Sequence, residues 1–158
     1  MITLVRVDDR LVHGQVATKW VGRTQTNKIY IVDDQVANDE LMSSVCRGLA
    51  PQGTTVDVIT LEKALTLLNK AADHPAYRAM VIVKTPQAVL TMKKGGVRID
   101  KLVVGGMQMR PGRTKFYRNI SADDAERECM RELETLGVSV VCQAVPDETP
   151  VPVGELLN

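Results

Sequence analysis

Aromatic side chains are scarce: one Trp, one Phe and three Tyr in 158 residues. A core must therefore be built from Val, Ile, Leu, Ala and Met. The 44% hydrophobic content supplies enough of them for one domain, residues 1–158, with a real interior. Cysteine is scarce too. Cys46, Cys129 and Cys142 are odd in number, widely spaced and without a CxxC pair, which favours buried reduced thiols over disulfides or a zinc site. No excess of either charge exists: 20 basic residues face 19 acidic ones, for a net charge of +1. That balance argues against bulk electrostatic binding to nucleic acid or anionic lipid. No apolar run is long enough to span a bilayer and no secretory signal opens the chain, so a cytoplasmic location is expected. Walker A and GxGxxG patterns are both missing, which weakens a purely nucleotide-binding reading.

What is present is alternation. Short β-branched runs at Thr3–Val7, Lys28–Val32, Thr55–Ile59, Ala79–Val83, Lys101–Val104 and Ser139–Gln143 predict strands. Between them, amphipathic stretches at Gln15–Val21, Asp39–Leu49, Leu61–Ala72, Pro86–Lys94 and Ala122–Leu136 predict helices. The last is the clearest, with Ser121 as its cap, Asp123, Asp124 and Glu126 in its first turn, and Gly137 after its end. Such alternation predicts an α/β fold: an open, mainly parallel sheet covered by helices on both faces. Arg110-Pro111-Gly112-Arg113 reads as a turn, and Thr114–Ile120 as an additional, antiparallel strand. The segment from Pro146 onward holds three prolines and reads as a tail.

The richest segment is Arg6-Val7-Asp8-Asp9-Arg10-Leu11-Val12-His13-Gly14-Gln15-Val16. It runs from the end of the first strand to the start of the first helix, where open α/β sheets hold their chemistry. Neutral imidazole, with an ordinary pKa of about 6.5, can attack phosphorus without a separate base. Arg10 can pair bidentately with phosphoryl oxygens. Gly14 has no Cβ to hinder an anion, and Gln15 and Val16 would present unpaired first-turn N–H groups. Asp8 and Asp9 can orient the imidazole or hold Arg10, while their charge keeps them off the phosphate. Taken singly, a loop histidine is more often merely solvated, and an arginine beside two aspartates merely paired. Their coincidence at one strand end favours function.

Other positions are less pointed. Asp33 and Asp34, after the second strand, can hold magnesium or serve as helix-entry residues, and the second role is preferred. Thr85 can bond a phosphoryl oxygen or cap the next helix. Gly105-Gly106 can let backbone approach a ligand or make a tight bend. Arg110, Arg113, Lys115 and Arg118 form the densest basic segment, able to embrace a phosphorylated partner or simply to be solvated. Trp20 is either core or a docking anchor, and His74 reads as structural, at a helix exit before Pro75.

The first-loop segment resembles the active-site signature of the IIB component of the bacterial sugar phosphotransferase system, mannose/fructose/sorbose class. The likeness continues through Val32-Asp33-Asp34, Leu61-Glu62-Lys63-Ala64, Lys84-Thr85-Pro86, Val104-Gly105-Gly106-Met107, Arg110-Pro111-Gly112 and Gly137-Val138. The later segment from Gly105 to Gly112 is most similar to the sorbose-type branch. Val7 and Val12 depart from the signature by one methylene each. The resemblance implies a sheet of about seven strands, one antiparallel. It also implies His13 as phosphoryl acceptor on Nδ1 and Arg10 as the essential loop arginine. Asp8, Asp9, Gly14, Gln15, Val16 and Thr85 would then support the phosphate, with Trp20, Arg110 and Arg113 on the partner surface. The phosphoryl group would come from a phosphohistidine on a IIA protein and pass to a sugar carried by membrane IIC and IID components. No cofactor or metal is expected. The chain would be a free-standing IIB, attached peripherally to the inner membrane face through IIC/IID, and a homo-oligomer is compatible with this. The sugar is not readable, since specificity in this family lies mainly in the membrane components. The competing class is a receiver-like module phosphorylated on aspartate. It fits poorly, because Asp57 falls mid-strand and no lysine follows the fifth strand.

Overall fold

A computed structural model describes residues 1–71, 74 and 76–157. Nine strands and six α-helices are formed among the described residues. The strands are β1 (Ile2–Asp8), β2 (Lys28–Val32), β3 (Thr55–Ile59), β4 (Ala79–Val83), β5 (Lys101–Gly106), β6 (Thr114–Tyr117), β7 (Ile120–Ala122), β8 (Ser139–Cys142) and β9 (Val151–Pro152). The helices are α1 (Gly14–Thr24), α2 (Asp34–Ala37), α3 (Glu40–Gly48), α4 (Leu61–Ala71), α5 (Pro86–Lys94) and α6 (Asp124–Thr135). Ala72, the expected last residue of the fourth amphipathic stretch, lies outside the described residues, as does Pro75.

Seven strands make one open sheet in the order β3-β2-β4-β1-β5-β8-β9. All neighbours are parallel except β8 and β9. β4 is buried along its whole length, which is why its sequence, Ala-Met-Val-Ile-Val, shows no polar alternation. Its side chains nevertheless alternate between two cores. Val81 and Val83 join Val5, Val7, Tyr30 and Val104 beneath Leu68 of α4, Met92 of α5 and Met130 of α6. Met80 and Ile82 join Ile29, Ile31 and Val103 beneath Ala17 and Trp20 of α1 and Cys46 of α3. Each fully buried aliphatic side chain contributes about 1.5–3 kcal/mol relative to exposure, so both helix layers are held by the same strands.

Handedness then decides where the site lies. The connection leaving β1 runs to the α1 face, whereas those leaving its neighbours β4 and β5 run to the opposite face. The carboxyl end of β1 is therefore a switch point, where the diverging connections leave a crevice.

Three sequence expectations need correction. The antiparallel member of the main sheet is β9, in the proline-containing tail, where Val151 and Pro152 pair with Cys142 and Val141. Thr114–Ile120 instead belongs to a separate antiparallel hairpin, β6–β7. α6 is capped by Asp123, not Ser121. Asp123 accepts from Glu126 N, Glu126 Oε1 in turn accepts from Asp123 N, and Ser121 is engaged in β7 with its N–H on the Met107 carbonyl. Finally, the short helix α2 precedes α3. Asp33 caps α2 through Val36 N, and Asp34 accepts from Leu61 N at the entry to α4.

Candidate functional site

β1 ends in a carboxylate that is almost completely enclosed. Asp8 is 1% exposed and its carboxylate accepts four hydrogen bonds, from Arg10 Nε at 2.9 Å, Arg10 Nη2 at 3.0 Å, Arg10 N at 3.1 Å and Arg6 Nη2 at 3.3 Å. The fork-on-fork pairing fixes the Arg10 side chain. Its pKa lies above the ordinary arginine value, chiefly through the hydrogen bonds it donates to Asp8. Nη1 of Arg10 makes no hydrogen bond within the described residues, so one edge of a clamped guanidinium is left for an anion.

Arg6 was not among the expected site residues. Its side chain lies in the α1-side core, stacked over the Trp20 ring at 5.3 Å, and donates to the carbonyls of Gln143 and Ala144 at 2.9 Å each. Burial lowers its pKa and the Asp8 carboxylate partly offsets that. The one signal in the sequence is an arginine at a strand position whose neighbours two residues away, Leu4 and Asp8, share its face. Gly105 and Gly106 make this stack possible. A Cβ on Gly105 would fall 1.9 Å from Arg6 Nη2, and one on Gly106 would fall 2.8 Å from Asp8 Oδ1 and 2.9 Å from Arg10 Nη2. The two glycines let the end of β5 come close to these side chains.

After Asp8 the chain turns sharply. Leu11 N–H bonds the Asp8 carbonyl at 3.0 Å, and Leu11 takes a left-handed φ of 61°. An L-residue adopts that conformation at a cost; the buried Leu11 and Val12 side chains hold it. His13 then stands at the N-cap of α1 with extended backbone and no side-chain bond to the first turn. Gly14 follows at φ +47°, with open space where a Cβ would be. The first-turn N–H groups from Gly14 to Val16 are thus left for an outside acceptor.

The imidazole of His13 is partly exposed. Nδ1 lies 2.9 Å from the Leu11 carbonyl, and Nε2 lies 3.9 Å from Asp8 Oδ2. A carbonyl only accepts, so Nδ1 carries a proton in this arrangement. Two buried side-chain polar atoms among the described residues lack a partner, and both are in this loop: His13 Nε2 and Asp9 Oδ1. Unsatisfied groups are rare in folded proteins and concentrate where chemistry is done.

Asp9 turns away from Asp8. Its Oδ2 accepts from Gln108 N at 2.8 Å and Arg113 Nη1 at 3.1 Å. Arg113 is 5% exposed and forms a two-point pair with Glu126, at 2.9 and 2.7 Å. Burial opposes its charge, but hydrogen bonds to Glu126 and Asp9 outweigh that and raise its pKa. Arg113 is therefore not a partner-facing residue, because two buried carboxylates draw it inward. Trp20 is corrected likewise: it is 5% exposed, packed in the core with Nε1 donating to the Ala144 carbonyl. Arg110 does remain on the surface, 3.7 Å from Glu126. Thr85 lies in a different crevice, of about 300 Å³, with Asp33, Asp34 and Lys84 between the ends of β2 and β4. Among the described residues no group of three or more His, Cys, Asp or Glu is arranged to hold a metal. Asp57 lies mid-strand in β3, paired with Lys28 at 2.6 Å, which leaves the receiver reading without support.

A cation clamped by a carboxylate, an imidazole and a free helix start suit phosphoryl handling, and the comparisons with known proteins agree. The family model for the PTS system sorbose subfamily IIB component matches residues 2–158. The sorbose-specific EIIB component of Klebsiella pneumoniae is 37% identical over 160 residues, covering 99% of this chain and 95% of the relative. The N-acetylgalactosamine-specific phosphotransferase enzyme IIB component 2 of Escherichia coli K12 is 33% identical, covering 99% and 98%. The crystal structure of the IIB domain of the Klebsiella pneumoniae sorbose permease superposes with a TM-score of 0.94 at 36% identity, covering 100% of this chain and 96% of that one. The chain belongs to the sorbose subfamily of phosphotransferase-system IIB components, which carry phosphoryl groups in sugar uptake alongside IIA and IIC/IID partners.

Proposed function

We propose that His13 is the phosphoryl-carrying residue of this IIB component, taking the group from a phosphohistidine on a IIA protein and giving it to a sugar. The observation that carries this reading is the placement of His13 at the bare N-terminus of α1, beside an arginine that Asp8 holds by two nitrogens.

The acceptor nitrogen must present a lone pair. Asp8 beside Nε2 favours the tautomer protonated there, which leaves the Nδ1 lone pair for phosphorus once the ring swings off the Leu11 carbonyl. As the P–N bond of the donor breaks and the new one forms, positive charge develops on the ring, and the Asp8 carboxylate stabilises its remaining N–H. Arg10 Nη1 and the amides of Gly14, Gln15 and Val16 face the charge on the transferring oxygens, and such preorganised donors supply most of the catalysis in phosphoryl transfer. In the second step the P–N bond breaks, the sugar oxygen takes the phosphoryl group, and the hydroxyl proton passes to the freed Nδ1; the ring then gives one proton to solvent and is the neutral acceptor again. Asp9 acts indirectly, by tying the loop to Gln108 and Arg113.

The acceptor is a hexose or amino sugar, the classes named for the sorbose- and N-acetylgalactosamine-specific relatives. No described helix is long and apolar enough to cross a membrane, and transfer to an imported sugar takes place against membrane IIC and IID components. The test is incubation with phosphoenolpyruvate, the general phosphotransferase proteins and a matched IIA, followed by mapping of the label. Wild-type protein is expected to carry an acid-labile, base-stable phosphate on His13, and His13→Ala and His13→Gln none. Label persisting in either variant refutes the reading.

A further inference from the structure

Beside Arg10 the surface opens into a cleft of about 450 Å³, whose far wall the transfer chemistry at His13 does not use. One wall is Arg10 on Gly106; the other is the β6–β7 hairpin, with Lys115, Arg118, Asn119 and Ser121, and Gln108 lies between. The hairpin is tied to the end of β5: Ser121 N–H bonds the Met107 carbonyl at 2.8 Å, and Lys115 stands directly across from Ser121. A phosphate-handling arginine and a polar hairpin therefore face the same recess.

The lining has a definite chemistry. Three cations contribute to it. Asp8 is already committed to Arg10 and Arg6, and Glu148 lies 3.3 Å from Arg118. Lys115 has no ion pair within the described residues, and the side chains of Gln108, Asn119 and Ser121 make no hydrogen bond there. Amide and hydroxyl groups without protein partners suit a ligand with several hydroxyls, and the volume lies within the range of small-molecule sites. The hairpin tip adds an independent sign. Arg118 has a left-handed φ of 45°, at a turn position where glycine or asparagine is the unstrained choice. Its guanidinium lies 5.3 Å over the Tyr117 ring, which holds the strained arginine in place at the cleft.

We propose that this cleft binds a phosphorylated polyol, the sugar phosphate formed when the sugar oxygen takes the phosphoryl group from His13, with the phosphate against Arg10 and the hydroxyls against Gln108, Asn119 and Ser121. The inference rests on the carrier reading of His13 and adds a ligand and a second wall to it. Lys115 and Arg118 are then ligand-binding residues that draw the phosphorylated product, not merely a solvated basic run.

Titration of the isotope-labelled protein with glucose 6-phosphate, fructose 6-phosphate and galactosamine 6-phosphate, followed by amide spectra, tests this. At least one hexose phosphate is expected to shift the amides of residues 10–16 together with those of 108, 115 and 118–121. It should bind about tenfold more tightly than inorganic phosphate, the effect of one or two added hydrogen bonds. The double variant Lys115→Ala, Asn119→Ala should lose that advantage. Arg118→Gly, which relieves the left-handed backbone, should weaken hexose phosphate binding while the spectrum stays that of a folded protein. Equal affinity for inorganic phosphate and all three hexose phosphates, with the hairpin amides unmoved, overturns the proposal. So does movement of those amides by phosphorylated IIA alone, which makes the cleft a protein interface. Labelling of the wild-type by phosphorylated IIA is run in parallel. Label on His13 without hexose phosphate binding sinks the cleft proposal only, whereas absence of label on His13 sinks the carrier reading and this inference with it.

Discussion

The site depends on atoms that are missing as much as on those present. Asp8 and Arg10 lie flat on Gly106, where an added Cβ would sit 2.8–2.9 Å from both, and Arg6 lies on Gly105, where it would sit 1.9 Å away. The two glycines therefore act through different side chains and their loss should be felt differently. Gly106→Ala is expected to push the clamp outward by a few tenths of an ångström. Stability should fall by about 1–3 kcal/mol, the usual cost of overpacking, and phosphoryl transfer by about 100-fold, as when one preorganised donor is misplaced. Gly105→Ala must displace a buried guanidinium with its carbonyl and carboxylate partners, so its cost should appear mainly as lost stability. Chemical denaturation paired with the rate of His13 labelling separates the two; a Gly106→Ala protein that labels at the wild-type rate contradicts the account of the clamp. Arg10→Lys tests the same geometry from the other side. Lysine keeps the charge but cannot span both Asp8 oxygens while offering a third nitrogen outward. The fold should survive, and sugar phosphorylation should drop by about 100-fold or more.

Elements differ in how far their causes lie along the chain. The segment linking β5 to α6 is held by one buried carboxylate, Glu126, which closes the capping box with Asp123 and grips Arg113, which in turn reaches Asp9. Glu126→Ala removes the box and strands a buried guanidinium, so it is expected to cost about 3–5 kcal/mol. Asp123→Ala should cost only about 1 kcal/mol. Urea unfolding of the two variants checks the order; similar losses would mean that Arg113 finds another partner. None of this was visible in the run Arg110, Arg113, Lys115, Arg118, where all four cations look alike, because the carboxylate that selects Arg113 lies 13 residues away. Arg6 was hidden for the same reason, with carbonyl partners 137 and 138 residues distant. By contrast, the strands were legible because burial on both faces leaves uninterrupted β-branched runs. His13, Arg10 and Asp8 were legible because their geometry is made within one turn. β9 was not: two residues, one a proline, give no periodic signal, and pairing with the open edge of β8 creates the strand. α2 was missed because four residues are too few for a helical period to show.

At the scale of the whole molecule, the sheet that places the β1–α1 loop on its rim encloses three thiols in its helix-covered cores. Their burial matches the expectation of reduced cysteines and makes stability depend on alkaline pH. Desolvation pushes Cys129 up to about 11 and Cys142 up to about 12. In the unfolded chain both return to the ordinary thiol value of about 8.5. From there upward the unfolded state has lost protons that the folded state still binds, so stability must fall as pH rises, and the fall stops only above the folded values. Each thiol contributes at most about 1.4 kcal/mol per pH unit in that window. The stabilising contribution is fully present below about pH 8.5, so the protein should be insensitive to these groups at neutral pH. Urea midpoints between pH 8 and pH 10 measure the slope. Lysines and tyrosines titrate over part of the same range, so the informative quantity is the difference between wild-type and Cys142→Ala. The variant should be less stable at pH 7, through a small cavity, yet lose less stability with each step in pH. Parallel curves for the two proteins would mean that the Cys142 thiol ionises alike in both states, and therefore that the α6-side core admits water on the time scale of the measurement.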